Sequence, residues 1–207
     1  MNQLGIPQLD EVIRCFTDKH GEVAENAFHE IVFTEPLITV HFIPATDGRN
    51  HVTLFTTGMS LQPMTVPDGL EDFAYAELFI QLPATWDLSL TGLNAPENRW
   101  PIEWLRNLAQ FPHQQQTCIG GPVAIFANES AEDTFSSNHK FAGMFVFAED
   151  ELVRQFDGRT VQFYRLTPLY WEEILLEREQ GIPGLMNAFD EHSIPFVVNV
   201  NRRNVAV

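Results

Sequence analysis

The chain has 207 residues, with 28 Asp and Glu against 12 Lys and Arg, for a formal charge of -16. A surface that negative repels phosphate backbones and anionic lipid, so it argues against nucleic acid and membrane as partners and suits a basic protein partner. Hydrophobic residues make up 44% and charged residues 19%, the composition of a globular chain able to bury a large core without staples.

Leu9, Val12, Ile13 and Phe16 recur at helical spacing and predict an amphipathic first helix ending near Gly21. No basic segment followed by an apolar run precedes it, and no stretch approaches the ~18 apolar residues of a spanning helix. A cytoplasmic location is expected, with Cys15 and Cys118 as free thiols. Ala27 to Phe33 and Ile38 to Ile43 read as strands, and His51 to Thr56 follows the Asp47-Gly48 turn as a third, giving an antiparallel meander. Residues 57–72 read as an ordered surface loop. Phe73 to Leu82 is the clearest strand: Ala74, Ala76, Leu78, Ile80 and Leu82 line one side, and Phe73, Tyr75, Glu77, Phe79 and Gln81 the other. With both sides largely apolar, it is expected to be central and covered on both faces.

After a polar connection, Pro101 is placed at the first position of a helix whose stripe is Ile102, Leu105, Leu108 and Ala109 and which Pro112 stops. Pro122 to Ala127, Phe141 to Phe147 and Thr160 to Leu166 are strand candidates, and the acidic, Ser- and Asn-rich stretch 128–140 is an exposed loop. Thr167-Pro168 is expected to open a helix that packs Leu169, Tyr170, Ile174 and Leu175 inward and ends at Gly181. A short helix through Leu185, Met186 and Phe189 follows, then a closing strand from Phe196 to Val200. The expected fold is α+β (mixed α/β): a single domain over residues 1–207 with a central, mostly antiparallel or mixed sheet flanked by helices.

The chemistry-bearing residues form no catalytic pattern. The seven histidines make no HExxH or Cys/His cluster; His41 and His51, on neighbouring strands, are read as strand histidines rather than ligands. No metal and no cofactor is expected. Cys118, with His113 and His139 nearby in sequence, lacks the flanks of a cysteine hydrolase and reads as a structural thiol opening a buried strand. There is no nucleophile elbow and no phosphate loop. Glu77 stands out because a carboxylate inside the most apolar strand costs stability unless it is paired or opens onto a cleft. Arg202 or Arg203 is its candidate partner, and a water-facing edge position is the alternative.

Three ordered segments together resemble the Suppressor of fused family. They are Thr56-Thr57-Gly58-Met59-Ser60 with Phe73 to Pro83, then Trp100 to Ala109, and finally Leu166 to Leu175 with Gly184 to Phe189 and Val200 to Asn204. The resemblance runs from about residue 28 to 205. It implies a domain like the N-terminal half of the animal proteins, which restrain Gli-type transcription factors in a cleft between two domains. The second domain is missing from this length, so Gli-type binding is not expected. Stand-alone bacterial members look like parts of toxin–immunity systems. The expected function is a non-catalytic protein-binding domain, with an immunity-type block of a basic partner as one form. The alternatives are a hydrolase using Cys118 or Glu77 and a structural or scaffold subunit. Candidate binding residues are Gly58, Met59, Ser60, Glu71, Asp72, Glu77 and Arg202, together with the 128–140 loop. By resemblance, Glu77 lies in a strand that contributes to peptide binding in longer relatives.

Overall fold

The computed structural model describes residues 6–24, 28–29 and 35–207. In chain order the main elements are α1 (Pro7–His20), β1 (Phe28–His29), β2 (Thr39–Ile43), β3 (His51–Thr57), β4 (Tyr75–Pro83), α2 (Pro96–Gln115), β5 (Val123–Ala127), β6 (Phe141–Ala148), β7 (Arg154–Phe156), β8 (Arg159–Tyr170) and α3 (Trp171–Glu191). The strands make one sheet in the order β1-β2-β3-β4-β8-β6-β5, with β7 pairing β8 beside that path. Every pairing is antiparallel except β4 with β8, which is parallel.

Strand alternation sends the apolar residues to two faces. On one face α2 places Trp100, Ile102, Leu105 and Leu108 in a cluster with Leu54, Ala76, Leu78 and Ile80. On the other, α1 packs Val12, Cys15 and Phe16 against Phe55, Phe79 and Phe163. Phe16 is the hub there: its ring stacks on Phe55 at 4.2 Å and meets Phe79 at 5.5 Å and Phe163 at 5.4 Å. Further along, α3 buries Ile174, Leu185 and Phe189 against Phe145 and Leu169. Central β4 is covered on both sides, as its residues predict. At Gly143 of β6 a Cβ would come within 2.6 Å of Ile174 Cδ1 and 3.0 Å of the Phe126 carbonyl oxygen, so a larger residue there would push the Ile174 side chain of α3 aside.

Several expectations need correction. The central helix starts at Pro96, which takes the first-turn position, so Pro101 lies inside it. Pro112 lies inside it too, and the helix ends only when Gln116 turns left-handed (φ 51°). Thr167 and Pro168 remain in β8, opposite Phe145 and Met144, so the last helix begins at Trp171. Leu175 faces outward and is exposed. Gly181 does interrupt that helix, with φ 72°. Segment 196–200 is no strand: its sheet contact is a single bridge between Val197 and Gln81. Most of the strand expected from Ala27 to Phe33 lies outside the described residues.

Candidate functional site

Glu77 is fully buried and its partner is not an arginine. Its carboxylate accepts hydrogen bonds from Gly58 N–H at 3.0 Å, Ser60 N–H at 3.0 Å, Ser60 Oγ at 2.7 Å and Thr56 Oγ1 at 2.7 Å. Alternation on β4 aims the side chain at the turn that leaves β3, and Gly58 makes that turn possible. Its φ is 109°, and a Cβ there would lie 2.2 Å from the Leu37 carbonyl oxygen. Burial pushes the Glu77 carboxyl up to about 7, partly offset by the Thr56, Ser60 and Gly58 donors. Gly58, Met59 and Ser60 are therefore an internal turn pinned by a carboxylate, with Met59 and Ser60 both buried.

Arg202 is held elsewhere. Its guanidinium forms a buried two-pronged pair with Glu173, each contact 2.5 Å, and also donates to the Pro168 carbonyl at 2.9 Å. It lies over the rings of Tyr170, Phe141 and Phe189 at 4.7, 5.2 and 5.2 Å. Glu173 also accepts the Tyr170 and Val205 N–H groups, at 3.0 and 3.1 Å. This cluster fastens the C-terminal segment to the start of α3. Of the sequence's alternatives for Glu77, a pair with Arg202 or Arg203 or a water-facing edge, neither holds: Glu77 is buried among hydroxyl and N–H donors, and Arg202 pairs Glu173.

Glu71 and Asp72 are exposed. Glu71 accepts the Gly69 N–H at 2.9 Å, which lowers its carboxyl below the usual range. Asp72 accepts from Thr160 at the start of β8. The exposed acids Glu129, Glu132 and Asp133 follow β5, whose last residue, Ala127, is level with Gly143 and through it with Leu169 near the far end of β8. The two acidic groups therefore occupy opposite ends of the sheet. The second half of the 128–140 loop is anchored, with Phe135 against Trp104 at 4.6 Å and Trp100 at 5.3 Å.

The catalytic candidates do not converge. Cys118 is half-buried ahead of β5 rather than within a strand, and no hydrogen bond joins it to a histidine among the described residues. His139 packs among Trp100, Phe135 and Phe141, and burial lowers its imidazole to about 4. His41 bonds Thr57 Oγ1 at 2.9 Å, whereas His51 approaches His20, so the two strand histidines separate. Among the described residues no group of three or more His, Cys, Asp or Glu could hold a metal ion. No described helix is long and apolar enough to cross a membrane.

Sequence reasoning missed the outer edge of β5. Among the described residues this strand ends the sheet and pairs only β6. Asn128 N–H donates to Ala142, and Ala148 N–H donates to Pro122. In an antiparallel ladder, hydrogen-bonded positions alternate, so even-numbered residues face β6 and the backbone groups of Val123, Ile125 and Ala127 point away from the sheet. Phe111, 37% exposed, and Val123, 36% exposed, add apolar surface near this edge. The signal in the sequence was only a short apolar run, which does not reveal its place in the strand order.

The model of the Suppressor of fused protein (SUFU) family matches residues 34–203. A search of curated proteins by sequence found no match. The fold is similar to a SUFU homologue from Neisseria gonorrhoeae FA 1090, at 16% identity and TM-score 0.64, covering 97% of this chain and 98% of that one. It is also similar to a chain of the Sufu–Fu complex, at 15% identity and TM-score 0.61, covering 95% and 91%. Suppressor of Fused from Drosophila aligns at 14% identity and TM-score 0.58 over 96% of this chain and 50% of that one, so here the chain spans half its relative's length. With the match of the family model running from residue 34 through Arg203, the chain belongs to the Suppressor of fused protein family.

Proposed function

We propose that the chain is a non-catalytic protein-binding domain that takes an extended segment of a basic partner along the outer edge of β5. The observation that carries this reading is the free edge itself. Outward N–H and C=O groups at Val123, Ile125 and Ala127 are a template for an added strand. Glu129, Glu132 and Asp133 lie exposed where the strand ends, and the chain carries a charge of -16. Such charge steers a basic segment toward the edge, raises the association rate and makes binding salt-sensitive. An immunity-type role is one use of this surface, in which the bound segment belongs to a basic protein whose active surface is thereby covered. The Sufu–Fu complex, formed by a similar fold with a protein partner, is consistent with this reading.

The test is affinity purification from the native host at low salt, with the wild type and with Ala127→Pro. Proline on an edge strand with its nitrogen facing solvent is tolerated by the sheet but removes an outward donor and blocks an incoming strand. The wild type should recover one dominant basic partner, released by salt and weakened about tenfold or more by Ala127→Pro. Recovery of no partner, or equal recovery by the variant, refutes the reading. The same edge could instead pair two copies of the chain; sedimentation of the purified protein alone would show a dimer in that case.

A further inference from the structure

A second recess lies away from the β5 edge. A cleft of about 750 Å³ opens between the start of β3, the connection from β4 to α2, and segment 195–201. Asn50, Asn138, Asn199 and Asn201 line it with Trp86 and His51, and Val197, Val198, Val200 and two prolines give it an apolar wall as well. In a chain of charge -16 this lining is close to neutral: Glu97 is its one carboxylate, and it has no Lys or Arg. Burial and Arg49 hold the His51 imidazole below its ordinary value, which keeps it uncharged at neutral pH.

Much of the hydrogen-bonding capacity here is unspent. The side chains of Asn50 and Asn201 make no hydrogen bond among the described residues. Asn199 and Asn138 use only their oxygens, accepting from the Asn201 N–H at 3.0 Å and from Ser136 Oγ. All four asparagines are exposed, so their unused amide groups face solvent and are open to a ligand. Trp86 is fixed by its indole N–H, which donates to the Asn98 carbonyl at 3.0 Å, and by an edge contact with Trp100 at 5.8 Å.

The chemistry narrows the occupant. A wholly apolar ligand would match the valine and proline wall but strip water from the carboxamides without replacing it, so an occupant with both apolar and hydroxyl faces fits better. An anion finds no cation, and a cation finds only Glu97. A peptide adding as a strand would need a free edge, but the nearby edge of β4 is taken, because Val198 N–H donates to the Gln81 carbonyl at 2.8 Å. Carboxamides present a donor and an acceptor side by side, which matches pairs of neighbouring hydroxyls, and an indole provides an apolar platform for a sugar ring. The volume lies within the range of small-molecule sites. We infer that this asparagine-lined cleft binds a neutral, polyhydroxylated ligand of the oligosaccharide class.

The test titrates the full-length, isotope-labelled protein with maltotriose, cellotriose and triacetylchitotriose, each to about 20 mM. At least one should shift the side-chain NH2 signals of Asn50, Asn138, Asn199 and Asn201. The double variant Asn50→Ala, Asn201→Ala removes only carboxamides that bond nothing among the described residues, so its melting temperature should be unchanged while affinity falls about tenfold. Three outcomes overturn the inference: none of the three sugars shifts these signals, the double variant binds as tightly as the wild type, or acetyl-trialanine amide shifts the signals while the sugars do not.

Discussion

Replacing Glu77 by glutamine gives a sharp test of the internal carboxylate. Glu77 titrates near 4.5 when exposed, and burial raises it to about 7 in the folded protein. The native state therefore holds a proton that the unfolded chain has released between these values. A raised carboxyl contributes stability that is complete below pH 4.5 and lost as pH rises through about 7. A rise of this size corresponds to roughly 3 kcal/mol across the window. Both protonation states fit the hydrogen-bond geometry. The carboxylate accepts from Thr56 Oγ1; the acid can donate to that oxygen, which then donates to the Leu78 carbonyl 3.4 Å away. Glutamine mimics the protonated state, with its oxygen toward Gly58 and Ser60 and its NH2 toward Thr56. Urea unfolding of the wild type and Glu77→Gln at pH 5, 6, 7 and 8 should show the variant gaining relative stability as pH rises, by up to roughly 3 kcal/mol. Taking the difference between the two proteins removes the shared contribution of histidines and net charge. Parallel curves from pH 5 to 8 would refute the argument.

Arg202→Ala should cost about 3–5 kcal/mol in chemical unfolding, because it strands the buried Glu173 carboxylate; a loss below about 1 kcal/mol would mean the pair supports little. Gly58→Ala should destabilise by about 2–4 kcal/mol, since the turn has φ 109° and the new methyl would meet the Leu37 carbonyl; thermal unfolding reads this directly. Burial, with Arg49 and His51 adding to it for His20, lowers the His20 and His139 imidazoles to about 4. Their contribution to stability is therefore present above the ordinary histidine value and lost as pH falls toward 4, and their ring-proton NMR signals should stay unshifted from pH 8 to 5.5.

The layers were legible where periodicity was strong. The stripe of α1 and the two apolar faces of β4 point to the surfaces they bury. Misplaced boundaries came from local signals overruled by packing. Thr167-Pro168 looks like a helix cap, yet Thr167 is buried in the sheet and the Pro168 carbonyl is needed by Arg202. Pro101 looks like a helix start, yet Pro96 takes that position and the burial of Trp100 and Ile102 carries the helix through Pro101. Glu77 was recognisable as costly, but charge reasoning supplied an arginine where the fold supplies backbone N–H groups and hydroxyls. Those donors come from a turn whose approach to β4 depends on tertiary structure. The β5 edge and the asparagine cleft were invisible because both depend on strand order and on where segment 195–201 returns.

Strand β8 has a divided allegiance: its first half runs parallel to β4 and its second half antiparallel to β6. The β1–β4 meander and the β5–β8 unit are each assembled from near neighbours in the chain, so the parallel seam between Tyr75–Phe79 and Val161–Arg165 depends on contacts far apart in sequence. The connection from β4 to α2, which separates the two units in the chain, is open to solvent, with Leu90 87% exposed. Cutting there should yield two fragments that reassociate into the intact sheet, making the molecule suited to split-protein complementation.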